Sequence, residues 1–267
     1  MSNPQVGARV VLRYRRPAGS VPSQTDVIGI LEVLRPHVGV RGADGTLTTV
    51  APADVMVLKA IPAKPVRTSS IRTLEHALAL ADPATECEWV AGWVVRAGAA
   101  AVPLADPSMP EGGYFHDLLG EPTMRALTAW YAARGLALQL RLPDRLARPP
   151  AGWHTFGERL VLTMDLPADL PSPEPAPLDR VLLSAAPDEP AWAVLELGSD
   201  TGDVDPEELR QRIGALLGES ARRGADRAVI EVSSALEEAA ARGLGFGDHH
   251  RVRHVRVELT HSTSSDA

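Results

Sequence analysis

The sequence predicts an α+β protein: a small N-terminal β-barrel followed by a mixed α/β domain. Three observations carry this. Five short β-branched runs lie between residues 9 and 61, evenly punctuated by turn residues. An apolar strand, a helix, a second strand, a second helix and a third strand follow one another between residues 191 and 258. Hydrophobic residues make up 45% of the 267, enough to bury the core of a small module plus a larger domain.

In the first module, residues 10–15, 26–34, 38–41, 47–50 and 55–58 read as strands, and Ala43-Asp44-Gly45 marks a hairpin turn. Five such strands suit a closed barrel of the Src-homology-three or Tudor type, since closure removes exposed strand edges. Residues 62–65 read as a stiff Pro-rich connector. Beyond it, Ile71, Leu74, Leu78 and Ala81 follow helical spacing, and residues 89–96 read as one strand. A helix over 124–134 ends at Gly135, with strands at 136–142 and 160–164. Residues 171–177 read as an exposed proline-rich connection. The run Ala191-Trp192-Ala193-Val194-Leu195-Glu196-Leu197 reads as a strand, and Pro206 opens a helix reaching about Gly224, because proline lacks the N–H that the first turn leaves unused. The free N–H groups and positive dipole end of such a helix form a ready anion site. Residues 228–232 read as a buried strand, Ser234 as the cap of a helix over 235–242 that Gly243 or Gly245 ends, and 250–258 as the last strand. The resulting division is 1–63, 64–170, 171–177, 178–258 and a polar tail at 259–267 expected to be disordered.

A formal charge of −7 argues against general nucleic-acid binding, which needs a cationic surface to displace counterions. Aromatic residues are only 4% of the chain, so Leu, Val and Ala must fill the core. The single cysteine, Cys87, excludes an internal disulfide. With no N-terminal apolar leader and no run of about 18 apolar residues, the expected address is cytoplasmic, with no membrane partner.

The C-terminal half resembles the GNAT family of N-acetyltransferases, on Ala191 to Leu197, Asp205 to Leu217, Gly243-Leu244-Gly245-Phe246 and the continuation Gly247-Asp248-His249-His250-Arg251. The likeness extends upstream through Pro65 to Ala77 and Trp89 to Gly98, and with residues 9–61 it points to a two-part subfamily carrying a small barrel before the acetyltransferase fold. The resemblance implies acyl transfer from acetyl-CoA to an amine, with Val194, Leu195, Glu196, Leu197, Arg210, Gln211, Arg212, Ile213, Gly214 and Ala215 as cofactor-binding positions. It also implies pairing of the fold into a homodimer through its C-terminal strands.

Departures from the family pattern predict a weakened or lost reaction. Family members hold the diphosphate with Gln/Arg-x-x-Gly-x-Gly/Ala, whose glycines let backbone N–H groups approach. In Leu209-Arg210-Gln211-Arg212-Ile213-Gly214-Ala215 both glycines cannot be restored; Gly214 matches the second, and Arg212 or Gln211 stands at the first. The tyrosine that protonates the departing thiolate falls on Ala241, which forgoes about 10²–10⁴-fold in rate. Residues 99–104 pass from Ala99-Ala100-Ala101 directly to Val102-Pro103-Leu104 where relatives carry a longer polar stretch, and the middle reads as shortened by some strands. The competing expectation is a non-catalytic interaction protein on the same fold.

Other constellations read as structural. His249, His250 and His254 have no partner at metal-ligand spacing and stand among Arg251, Arg253 and Arg256, so no metal is expected. Glu86, Glu88, Glu111 and Asp117 read as surface acids, Trp89, Trp93, Trp130 and Tyr131 as core, and Tyr14-Arg15-Arg16 as a solvated barrel edge. Ser20 to Ser23 and Gly112-Gly113 read as loops.

Overall fold

A computed structural model describes residues 4–61, 65–81, 86–104, 118–149, 153–167, 170, 174–184, 191–198 and 204–256. The expectations at 62–64, 171–173, Glu111, Gly112-Gly113, Asp117 and 257–267 lie outside them. The chain divides into two compact units, Met1–Pro65 and Val66–Ala267.

The first unit contains β1 (Arg9–Arg15), β2 (Gln24–Val33), β3 (Val38–Gly42), β4 (Leu47–Val50) and β5 (Val55–Ala60), with a 3-10 turn over Pro52–Asp54. They form one antiparallel sheet in the order β4-β3-β2-β1-β5. Strand alternation explains its one-sided core: Val10, Leu12, Leu31, Val38, Val40 and Val50 are buried together. At Gly29 an added Cβ would lie 2.0 Å from the Arg41 carbonyl oxygen, so β2 and β3 approach more closely than any side chain permits. The hairpin turn forms as expected, with Gly45 at φ 78° and Asp44 accepting the Thr46 N–H at 3.0 Å. No ladder joins β4 to β5 among the described strands. The 3-10 turn Pro52–Asp54 connects them in place of a hairpin.

The second unit runs α1 (Thr68–Ala81), β6 (Cys87–Val90), β7 (Trp93–Arg96), β8 (Val102–Pro103), α2 (Glu121–Ala132), β9 (Gln139–Pro143), β10 (His154–Asp165), β11 (Arg180–Leu183), β12 (Trp192–Glu196), α3 (Pro206–Arg222), β13 (Arg227–Val232), α4 (Ala235–Gly243) and β14 (Gly247–Arg256). The single strand expected over 89–96 is instead the hairpin β6–β7. Its two-residue turn, Ala91 at φ 49° and Gly92 at φ 83°, has the two positive angles that match strand twist. The strand expected from 136 starts at Gln139, and the one expected at 160–164 reaches back to His154. With β6 to β11 all preceding β12, the middle is not short of strands.

A six-stranded sheet has the order β11-β12-β13-β10-β14-β9, and a three-stranded sheet β6-β7-β8 meets it through a parallel bridge from Ala101 to Leu140. Two β-α-β units result, β8-α2-β9 and β12-α3-β13, each with parallel strands. Their closing strands are exchanged. β9 pairs with Val252 to Arg256 of β14, whereas β13 pairs with Leu160 to Asp165 of β10, and β10 and β14 pair with each other.

Alternation along β10 divides the core. Leu160 and Leu162 face Leu209, Ile213, Leu216 and Leu217 of α3 and Ala240 and Ala241 of α4. Val161 faces Leu74 and Ala77 of α1, with Trp192, Val229 and Val252. Each fully buried leucine contributes about 1.5–3 kcal/mol, and this apolar stripe, more than intrinsic propensity, holds α3 in place. α4 begins in a capping box between Ser234 and Glu237. It ends at Gly245, φ 101°, with the Phe246 N–H returning to the Ala241 carbonyl at 3.2 Å. Among the described residues no helix is long and apolar enough to cross a membrane.

Candidate functional site

Parallel pairing of β12 with β13 runs from Trp192–Arg227 to Leu195–Ile230 and stops. Beyond that point each strand pairs only outward, Glu196 with Arg180 of β11 and Glu231 with Val161 of β10. The strands part and open a cleft of about 920 Å³, lined by Val194, Leu195, Glu196, Leu197 and Gly198 on one side and Glu231, Ser233 and Glu237 on the other, with Arg159, Arg180 and His254. All four strand residues expected at the cofactor are brought together here.

The remaining expected positions lie elsewhere. Arg210, Gln211, Arg212, Gly214 and Ala215 line a separate groove of about 770 Å³, with Glu207, Glu208, Met164, Leu170 and Leu244. Ile213 is fully buried in the core. The stretch that stands in the place of the family's glycine loop lies inside the helix expected from Pro206, because Pro206 at the first position and the buried Leu209, Ile213 and Leu216 start it four residues before Arg210.

That helix bears on acetyl-CoA, which GNAT-type enzymes use. Inside α3 the N–H groups of Arg210 to Ala215 are taken by carbonyls one turn back. The first turn carries Glu207 and Glu208, which complement the helix dipole themselves and repel an anion. Arg212 is held by Asp179, with Nε to Oδ2 at 3.0 Å and Nη2 to Oδ1 at 2.5 Å. The interior of α3 therefore offers no N–H cradle to a diphosphate, and its first-turn N–H groups stand beside two carboxylates. Ala241, at the expected acid position, is wholly buried between α3, α4 and the sheet.

Behind the cleft lies a buried ionic network that spacing did not disclose. Glu75 of α1 is fully buried, and its carboxylate accepts from Arg141 of β9, Nε to Oε2 at 2.7 Å and Nη2 to Oε1 at 2.8 Å. Arg141 Nη2 also stands 2.6 Å from Glu231 Oε1, and His250 Nε2 lies 2.8 Å from Glu75 Oε1. His249 Nδ1 is 2.7 Å from His250 Nδ1. Burial pushes the Glu75 carboxyl up, but Arg141 and His250 hold it down at about 2. Burial and the neighbouring His250 push the His249 imidazole down to about 4. Burial, then Arg141, also lowers His254, whose Nε2 is buried with no hydrogen-bond partner among the described residues. The available sequence signals were a charge on the apolar stripe of α1 and an acid inside the apolar strand β13.

The other weighed residues are packing or surface groups. Trp93 is buried and donates to the Leu118 carbonyl at 3.0 Å, and Tyr131 donates to the Ala99 carbonyl at 2.8 Å. Trp130 donates to Glu88, and Glu86 accepts from Arg134. Trp89 is 37% exposed. Among the described residues no three potential metal ligands group together.

Residues 68–205 match the family model described as "Probable histone acetyltransferase Rv0428c C-terminal", and residues 4–59 match "Rv0428c N-terminal Sm-like domain". A curated relative from Mycobacterium tuberculosis (strain ATCC 25618 / H37Rv), named probable histone acetyltransferase Rv0428c, is 34% identical over 298 residues, covering 97% of each chain. Among solved structures, a GCN5-related N-acetyltransferase from Kribbella flavida is 14% identical, with a TM-score of 0.44 over 73% of this chain and 96% of that one. One from Sphaerobacter thermophilus is 12% identical, with a TM-score of 0.37 over 65% of this chain and 76% of that one.

Proposed function

We propose, from the premise that this chain belongs to the Rv0428c acetyltransferase family of two-part GNAT-like proteins, that it keeps an amine-accepting cleft and grips acyl-CoA weakly. The observation that carries the first half is the parting of β12 and β13 after Leu195 and Ile230, with Glu231 and His254 in the opening. An acceptor amine arrives as an ammonium ion and must lose a proton before it attacks a carbonyl carbon. His254, which lines the cleft with its imidazole lowered by burial, is the candidate base; Glu231 is the anchor for the positive charge. The backbone N–H groups of Glu196 and Leu197, past the last pairing of β12 with β13, are the candidates for stabilising a developing oxyanion.

The acceptor class is supported by charge. Residues 66–267 hold 19 Lys and Arg against 30 Asp and Glu, a balance of −11, whereas residues 1–65 hold 8 against 4, a balance of +4. A strongly acidic catalytic unit favours encounter with a basic, lysine-rich protein. The relative's name points to the same class. The weak donor grip is supported by α3, whose first turn carries Glu207 and Glu208 beside its N–H groups and whose Arg212 is committed to Asp179.

The test is calorimetric titration with acetyl-CoA, then incubation with acetyl-CoA and a lysine-rich peptide followed by mass spectrometry for acetyl-lysine. Slow acetylation with a dissociation constant near millimolar is expected. Micromolar binding would overturn the weak grip, and no acetyl-lysine at saturating donor would overturn retained transfer.

A second reading, a non-catalytic docking protein, is favoured by the first unit, where Ile28, Ile30, Met56 and Val57 are exposed apolar residues within a net basic module. Replacing Ile28 and Ile30 by Asp abolishes partner capture if this reading holds, and unchanged capture counts against it.

A further inference from the structure

Glu231 is the one carboxylate of the buried network that reaches the cleft, with its side chain 24% exposed against 0% for Glu75 and 10% for Arg141. Strand alternation puts it on the α1 face of β13, beside Val229, so it meets Arg141 across the sheet surface. The fixed charges of Glu75, Arg141 and Glu231 sum to one negative charge, because two carboxylates share one guanidinium. The planar fork of Arg141 grips Glu75 at two points and turns Nη2 to Glu231. The other charged groups of the cleft are engaged or solvated. Arg180 Nη2 stands 2.6 Å from Glu196 Oε2, Glu237 caps α4, and Arg159 is exposed.

We propose that Arg141 and Glu75 are positioning residues, which hold the Glu231 carboxylate on the cleft wall as the anchor for a primary ammonium group of the acceptor. The inference rests on the acetyltransferase reading above. The two β-α-β units then depend on each other: α1 and β9, from the half containing β8-α2-β9, orient a carboxylate in the cleft of β12-α3-β13. Arginine is needed because a lysine ammonium cannot hold both carboxylates in one fixed plane.

The experiment uses the full chain and two probes, Nα-acetyl-lysine methylamide and the same compound acetylated on Nε, each titrated by NMR. The cationic probe binds about tenfold tighter than the neutral one, as a charge-assisted contact implies, and Glu231→Gln erases that preference. The pair Glu75→Gln with Arg141→Gln, which removes both buried charges together, weakens the cationic probe about tenfold. In a Glu231→Gln background the same pair has no further effect, a coupling that a merely structural role would not produce. Should that pair fail to fold, Arg141→Lys is measured instead and gives an intermediate loss. If Glu231→Gln erases the preference while the Arg141 variants keep it, the positioning role is overturned and the acceptor reading stands. If the wild-type chain shows no preference between the probes, the acceptor reading itself fails.

Discussion

Arg212 of α3 and Asp179, one residue before β11, form a two-point ion pair, and the same Asp179 Oδ1 accepts the Gly198 N–H at 2.9 Å just after β12. The side chains are 9% and 0% exposed. Three segments are thereby tied at one carboxylate.

Removing one partner of that pair strands the other. Arg212→Met is expected to cost about 3–5 kcal/mol, and Asp179→Leu with Arg212→Met together to cost less than Arg212→Met alone. Urea unfolding of both single variants and of the double variant checks this; a double loss equal to the sum of the two single losses would mean that the pair contributes no coupling.

Acid stability depends on the Glu75 network. Burial pushes the Glu75 carboxyl up, and Arg141 and His250 outweigh it, so the folded value is about 2 against an ordinary 4.5. A lowered carboxyl stabilises the fold above the unfolded value and loses that contribution as pH falls from about 4.5 through about 2. Its size is roughly 3 kcal/mol. Urea midpoints across that window should fall steeply for the native chain and more shallowly for Glu75→Gln.

His249 acts in a higher window. Its imidazole is held at about 4 against an ordinary 6.5, so the unfolded chain binds the proton first and stability declines as pH falls from 6.5 to 4. His249→Asn should flatten the decline in that interval alone. An unchanged slope would remove His249 as its source.

Gly214 sits in a helix interior, where an added Cβ meets nothing within 4 Å among the described residues. Gly214→Ala should therefore stabilise by about 0.5–1 kcal/mol, a rise of about 1–4 °C in Tm. A loss of stability would mean that the position is needed as a loop glycine.

Ala241→Tyr restores the residue type expected at the acid position but places a ring in a filled core. A cost of at least 1–3 kcal/mol is expected, with no gain in acetyl-lysine formed. A gain in activity would show that the ring reaches the cleft.

The sequence by itself determined where helices and strands lie wherever punctuation and periodicity agreed. Pro206 opens α3, Ser234 caps α4, Gly245 closes it, and Asp44-Gly45 turns the first module. These signals act between residues a few positions apart, so one sequence carries them whole. Val194 to Leu197 were named through the family resemblance and not through local pattern, and they line the cleft. Tertiary structure alone decided the rest. Burial of Leu209 and Ile213 on the sheet set the face that α3 presents, and the fold brought Arg212 onto Asp179, 33 positions away. The exchange of β10 and β14 brought Glu75, Arg141, Glu231 and His250 into one network across 175 positions. A buried charge is stable only beside its counter-charge, and which residue supplies it depends on strand order, a long-range pairing choice that local pattern does not encode.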